Sequence, residues 1–279
     1  MSSHVAFIGG GNMALAIVGG LLQSGHPANH IRVADPSEGR RQIAGQLGDL
    51  GLYTDNLAAV RGADIVLLAV KPHLIEPVCD ALKDVVQTDR PLVMSVAAGV
   101  TTATMSDALG GYERIVRIMP NTPALVRRGT SGLYAGRGVS DDDRRRSEAL
   151  VGAFGRAIWV DTEDGLHDVT AISGSGPAYF FLFMEYLENE ARALGLSDDE
   201  AALLVRETAA GAAAMALDTD VSLEELRRRV TSPGGTTQAA IAAYQAAGFE
   251  QAVHNAVSAA RRRSVELAAP TNDTNNKDG

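Results

Sequence analysis

The sequence is poor in cysteine and lysine. Cys79 is the single cysteine, so no intramolecular disulfide can form, and a reducing compartment is the expectation. Lysine occurs only at Lys71, Lys83 and Lys277 among 25 basic residues, leaving almost all the positive charge to arginine. Net positive charge is missing as well: the formal balance of −9 argues against a nucleic-acid or anionic-membrane surface. No apolar run approaches membrane-spanning length, and Val5–Ile8 is too short to form the core of a signal peptide. There is no internal repeat, and no Cys/His or paired Asp/Glu cluster suggests a metal, so none is expected. These absences leave a soluble, cytoplasmic, globular protein. With 279 residues, 46% of them hydrophobic, it can form one large domain or two of medium size.

What is present is organised around Val5-Ala6-Phe7-Ile8-Gly9-Gly10-Gly11-Asn12-Met13-Ala14. An apolar run ends in three glycines, and a helical pattern follows at Ala14, Ile17, Val18, Leu21 and Leu22. Gly9, Gly11 and Ala14 fit G-x-G-x-x-A, a form of the dinucleotide fingerprint. A Cβ at Gly9 would obstruct the turn, and one at Gly11 would keep a pyrophosphate from the backbone. The small Ala14 lets the helix press against the strand, and the N–H groups of the helix start favour phosphate.

Further apolar runs read as strands: Ile31–Ala34, Ile65–Val70, Leu92–Val96, Ile115–Met119 and Ala157–Val160. Helical patterns such as 75–86 and 141–154 lie between them. The alternation predicts a doubly wound parallel sheet of Rossmann type over residues 1–162, with ligands beyond the C-terminal strand ends. From 163 to 268 the pattern is all helical. Ser175-Gly176-Pro177 opens a helix, and capping boxes at Ser197–Glu200 and Ser222–Glu225 open two more. Stretches near 235–247 and 249–268 follow, and 269–279 reads as a disordered polar tail. The helices are rich in small residues and apolar on most sides, which predicts a homodimer built through them. The arginine triplets at 144–146, 227–229 and 261–263 read as solvated or ion-paired helix faces.

One stretch of the helical part does not look like packing: Val230-Thr231-Ser232-Pro233-Gly234-Gly235-Thr236-Thr237. Hydroxyls and exposed N–H groups at a helix start can hold an anion, although the same composition also makes an ordinary capped turn. A dinucleotide domain upstream, which needs a substrate pocket, favours the anion site. Ketone reduction would need a proton donor, often His or Lys, but residues 163–268 hold no lysine. The histidines there, His167 and His254, adjoin no such loop, and Ser173 and Ser175 have no evident base. A protonated imine, which already carries its proton, needs no such acid.

The chain resembles pyrroline-5-carboxylate reductases from end to end, in IGGGNMA, AVKP at 69–72, SVAAGV at 95–100, MPNTPALV at 119–126, SGSGPAYF at 173–180 and VTSPGGTT at 230–237. The resemblance implies reduction of 1-pyrroline-5-carboxylate to L-proline with NADPH or NADH, the last step of proline synthesis. It also implies an interlocked dimer through the helical domain, often assembled as five dimers. It assigns Gly9, Gly11, Asn12 and Met13 to the pyrophosphate, and Ser37, Arg40 and Asn56 to the adenosine ribose. Ala69, Val70, Lys71 and Pro72 would line the nicotinamide half, with Ala97, Ala98 and Asn121 nearby. Ser232, Gly234, Gly235 and Thr236 would bind the substrate carboxylate, and Thr237 would meet the ring nitrogen. Asp220 stands where many members have Glu, a second catalytic candidate with a shorter reach.

Cofactor choice turns on the end of the second strand. An Asp35 carboxylate aimed at the ribose would favour NADH, whereas Arg40 and Ser37 favour a 2′-phosphate. Pro36 is expected to bend the chain and turn Asp35 aside, so NADPH is preferred and NADH usable. Two alternatives are a β-hydroxyacid-type dehydrogenase, against which the missing helical-domain lysine counts, and a non-catalytic dinucleotide sensor, which could keep the glycine loop and lose the substrate loop, whereas here both are intact.

Overall fold

A computed structural model describes residues 3–268; the tail expected over 269–279 lies outside them. The chain divides into two compact units, Met1–Ser175 with Ala260–Gly279, and Gly176–Ala259. Among the described residues no helix is long and apolar enough to cross a membrane.

The first unit is built on an eight-stranded sheet. Its strands are β1 (Val5–Ile8), β2 (Ile31–Ala34), β3 (Gly51–Tyr53), β4 (Ile65–Leu68), β5 (Leu92–Ser95), β6 (Ile115–Met119), β7 (Gly129–Ala135) and β8 (Gly155–Trp159). They lie in the order β3-β2-β1-β4-β5-β6-β7-β8. Period-two alternation sends Val5 and Phe7 to one face and Ala6 and Ile8 to the other. Phe7, Val33, Leu67 and Met94 pack with the Asn12–Gln23 helix, and with Leu150 and Phe154. Ile8, Val66, Leu68 and Val93 pack with Ile75, Cys79, Leu82 and Val86 of the Ile75–Asp89 helix. Covered on both faces, the central strands can be continuously apolar, which is why they are recognisable. Burial pushes the Cys79 thiol up to about 12, so it is a packing residue without thiolate character at neutral pH.

The sheet differs from the expected all-parallel one at β7, which pairs antiparallel with β6. The connection through the short turn Thr122–Val126 is too brief for the crossover that a parallel neighbour requires. β7 and β3 also escape the apolar-run pattern. β3 is three residues long, and β7 carries Gly129 and Gly132. A Cβ at Gly132 would come within 2.8 Å of Val169 in the Gly165–Val169 helix, so that helix lies too close for a larger residue. β4 and β5 end two and one residues before the apolar runs do.

The second unit is helical: Gly176–Ala193, Asp198–Leu217, Leu223–Arg229, Thr236–Ala246 and the start of Phe249–Ala268. The Ser197–Glu200 capping box is complete in both directions. At Ser222 only half forms: its hydroxyl accepts from Glu225 N, while Arg228 and Arg229 take the Glu225 carboxylate and hold it down to about 2. Phe183, Tyr244 and Phe249 make a small aromatic cluster. Phe180, Phe181, Leu203 and Leu217 remain exposed, far more apolar surface than an isolated helical unit leaves to water. Each arginine triplet carries ion pairs on its helix face, as at Arg146–Asp142, Arg229–Glu225 and Arg261–Asp168, and Arg144 lies over the Trp159 ring.

Candidate active site

In the first unit, three strand ends meet at Gly9. Its N–H donates to Ala34 O at 2.8 Å, and Ala69 N donates to Ile8 O at 2.8 Å, which joins the C-terminal ends of β2, β1 and β4. This is the topological switch point of the sheet, where β1 lies between β2 and β4. Gly9 adopts φ +101°, and a Cβ there would sit 2.7 Å from Ala69 O. Only glycine allows that approach.

Gly11 begins the Asn12–Gln23 helix without any side-chain cap. A Cβ at Gly11 would meet nothing nearer than Arg40 Nη1 at 3.6 Å, so the space above it is open. The N–H groups of Asn12, Met13 and Ala14 have no acceptor among the described residues. An uncapped helix start over an open glycine fits a pyrophosphate.

At the end of β2 the Asp35 carboxylate is nearly buried and turned into this turn. Oδ2 accepts from Gly10 N at 2.8 Å, and Oδ1 accepts from Ser37 N at 2.9 Å. Arg41 Nη1 donates to Asp35 O and Pro36 O, fixing the bend that Pro36 begins. Ser37 caps the Glu38–Gly45 helix, and its hydroxyl accepts from Arg40 N. The exposed Arg40 reaches back to Gly10 O at 3.3 Å. Asn56 opens the Asn56–Val60 helix beyond β3, with Asp55 as its cap.

Ala69 and Val70 follow β4 half-buried, and the exposed Lys71 and Pro72 lead into a short turn. Ala97 and Ala98 follow β5, with Ala97 N donating to Ser95 Oγ. Asn121 follows β6, and its amide is already occupied. Oδ1 accepts from Thr130 N, and Nδ2 donates to the backbone O and hydroxyl of Ser173. Ser173 Oγ in turn donates to Thr130 O, so this serine is structural. The cofactor residues inferred from sequence thus all belong to one unit, in the segments that follow β1 to β6. Sequence reasoning missed the partners: Gly10 is 25 residues from Asp35 and Ser173 is 52 from Asn121, while Arg41 and Thr130 act over shorter separations.

In the second unit, Thr231 closes the preceding helix through its hydroxyl on Arg227 O. The chain turns at Ser232–Gly235, with Gly235 N donating to Ser232 O at 3.0 Å and Gly234 at φ +72°. Gln238 Oε1 accepts from Gly234 N. A Cβ at Gly235 would lie 2.4 Å from Ser232 Oγ, so glycine is what lets the serine fold over the turn. Gly235 begins the Thr236–Ala246 helix without a side-chain cap. The N–H groups of Thr236, Thr237 and Gln238, and the hydroxyls of Ser232, Thr236 and Thr237, have no partner among the described residues. This is a second uncapped helix start, ringed by hydroxyls and suited to a carboxylate. Asp220 is exposed in the turn between the Asp198–Leu217 and Leu223–Arg229 helices. Among the described residues no group of three or more His, Cys, Asp or Glu could hold a metal.

Residues 163–267 match the family described as pyrroline-5-carboxylate reductase dimerisation, and residues 4–99 match the one described as NADP oxidoreductase coenzyme F420-dependent. A pyrroline-5-carboxylate reductase of Pseudomonas aeruginosa is 48% identical over 266 residues, covering 95% of this chain and 97% of its own. The structure of a pyrroline-5-carboxylate reductase from Coxiella burnetii is 43% identical with a TM-score of 0.92, covering 96% of this chain and 100% of its own. That of the Plasmodium falciparum pyrroline carboxylate reductase with NADP bound is 27% identical with a TM-score of 0.84, covering 96% and 98%. The open glycine turn, the hydroxyl-ringed helix start and a near full-length likeness agree: the chain belongs to the pyrroline-5-carboxylate reductase family.

Proposed function

We propose that this protein reduces the C=N bond of 1-pyrroline-5-carboxylate to give L-proline, the last step of proline biosynthesis, using a reduced nicotinamide dinucleotide. The observation that carries the reading is the pair of uncapped helix starts, at Gly11 for a pyrophosphate and at Gly235 for a carboxylate. The second is flanked by hydroxyls and by no lysine or histidine.

When bound, the reduced nicotinamide supplies a hydride to the imine carbon. Gly9, Gly11, Asn12 and Met13 hold the pyrophosphate on the helix start. Ala69, Val70, Lys71 and Pro72, with Ala97 and Ala98, border the nicotinamide half, and Asn121 braces the segment after β6 through Ser173. Ser232, Gly234, Gly235 and Thr236 bind the substrate carboxylate. Thr237 orients the ring nitrogen, which keeps its own proton, so the hydroxyl has only to accept or share a hydrogen bond. Asp220 offers a negative charge for the iminium, and its shorter reach than Glu makes it an auxiliary group. The working domains in this reading are residues 1–162 for the cofactor and 163–268 for substrate and dimerisation.

NADPH is the preferred cofactor, with NADH usable. The inward turn of Asp35 supports this, because the carboxylate is withdrawn from a 2′-phosphate while Arg40 stays exposed nearby. We propose further a cytoplasmic homodimer through the helical unit, able to assemble as five dimers. The exposed Phe180, Phe181 and Leu217 and the dimerisation match support the dimer.

The test follows NADPH and NADH oxidation with 1-pyrroline-5-carboxylate and, in parallel, with 2-keto acids. Turnover of the imine, faster with NADPH, is expected. Turnover of keto acids alone would point to a hydroxyacid dehydrogenase, and cofactor binding without turnover to a sensor.

A further inference from the structure

Three contacts, all within the first unit, converge on the last turns of the Phe249–Ala268 helix. The largely buried His167 has Nδ1 2.8 Å from Ser264 Oγ. Arg261 Nε donates to Asp168 Oδ1 at 2.5 Å. Leu267 O faces Gly99, where a Cβ would lie 2.9 Å from it. This end of the helix is thinly covered. Ala260, Ser264 and Ala268, spaced four apart on one stripe, are half-buried, while Arg261, Arg262, Arg263 and Val265 are exposed. Its seat therefore depends on few contacts, and the two polar ones from His167 and Asp168 fix where it stops.

Gly99 closes the Ala97-Ala98-Gly99 turn after β5, in the left-handed region at φ +78°. The turn has little internal hydrogen bonding. Ala97 N is held by Ser95 Oγ, and Thr102 N and Oγ1 are held by Glu163, itself paired with Arg117. Between Ala97 and Thr102 no backbone N–H has a partner among the described residues. What lies against the middle of the turn is the Leu267 carbonyl. The turn is anchored at its two ends and shaped in the middle by a helix end.

We infer that His167 and Asp168 are positioning residues for the cofactor: they seat the Ala260–Ala268 end of the helix, and that end sets the Ala97–Gly99 turn. The inference rests on the reading that Ala97 and Ala98 border the nicotinamide half. The same helix begins in the second unit, so one element carries both the turn contact and part of the helical unit.

The test uses the full chain and a readout without turnover, NADPH affinity by fluorescence, alongside kcat, KM for each substrate and the thermal midpoint. Ser264→Ala combined with Arg261→Gln removes both partners, and Ser264→Thr combined with Arg261→Lys keeps them. The first pair is expected to weaken NADPH by about 5- to 20-fold, within the range by which residues that do not touch a ligand modulate its binding, with KM for 1-pyrroline-5-carboxylate unchanged. The second pair should restore NADPH affinity. A lowered thermal midpoint with unchanged NADPH affinity would overturn the inference and leave the contacts merely structural. If the first pair fails to fold, Ser264→Ala alone is read by the same criteria. A wild-type protein that does not bind NADPH would overturn the cofactor reading itself, and this inference with it.

Discussion

The Asp35 carboxylate accepts a hydrogen bond from Gly10 N at 2.8 Å, tying the end of β2 to the glycine turn that follows β1. The other carboxylate oxygen is taken by Ser37 N. An acid at this point of a dinucleotide fold is usually read as a ribose ligand. Here it braces the turn. Asp35→Ala should weaken NADPH and NADH alike, by about 1.5 to 3 kcal/mol, the range for a hydrogen bond to a charged group. Binding titrations with both cofactors check this. Tighter NADPH together with weaker NADH would mean that the carboxylate faces the ribose after all.

Arg40 tests the other side of cofactor choice. Its bond to Gly10 O is long at 3.3 Å, so the turn does not depend on it. Arg40→Ala should cost NADPH about 1 to 3 kcal/mol and leave NADH nearly unchanged. Steady-state kinetics with both cofactors decide, and equal losses would remove Arg40 from the 2′-phosphate.

Gly235→Ala places a methyl 2.4 Å from Ser232 Oγ and pushes the serine off the helix start. KM for 1-pyrroline-5-carboxylate should rise about 10-fold or more, at least ~1.4 kcal/mol of lost binding. NADPH affinity should hold, since the glycine cradle belongs to the other unit. A collapse of NADPH affinity in a folded variant would contradict that division.

Thr237→Ala should lower kcat/KM by about 10- to 100-fold, or ~1.4 to 2.7 kcal/mol, because one orienting hydroxyl is lost. A loss of about 10⁴-fold or more would instead identify Thr237 as an essential link in proton delivery.

Stability has its own test at Asp143, almost fully buried against Arg114 at 2.6 Å. Burial pushes this carboxyl up, but Arg114 and the Ser140 cap together hold it below its usual value. A lowered carboxyl contributes stability above its unfolded value, about pH 4, and loses it as pH falls further through the folded one. Asp143→Ala should cost about 3 to 5 kcal/mol at neutral pH by stranding Arg114. Thermal melts at neutral pH and below about pH 4 check both parts: the gap between wild type and variant should narrow in acid.

Much of the fold is legible because its causes are local. β4 and β5 announce themselves as runs of apolar residues, since both faces are covered. Gly9 is recognisable because a positive φ and a close approach to Ala69 demand glycine. β7 is not recognisable, for a related reason: Gly132 yields its side chain to Val169, which erases the strand pattern. The direction of β7 follows from the short connection after Asn121 more than from its own residues. The braces stay hidden because their partners are far apart in sequence. Gly10 and Asp35 are 25 residues apart, Asn121 and Ser173 are 52, and His167 and Ser264 are 97. Only the folded chain shows that Asn121 spends its amide on Ser173 and that Asp35 faces the glycine turn.

The first unit draws on two separated stretches of chain, ending at Ser175 and resuming at Ala260. During synthesis the sheet can assemble long before its final helical turns exist. Between Ser175 and Ala260 the ribosome must add the whole intervening unit, a delay of roughly 4 to 17 s at ordinary elongation rates. Throughout that interval His167, Asp168 and Gly99 await partners that have not yet been made. The turn after β5 acquires its last neighbour, the Leu267 carbonyl, only as the polypeptide nears completion, so a nascent chain folded through β8 still lacks the helix end that lies against this turn.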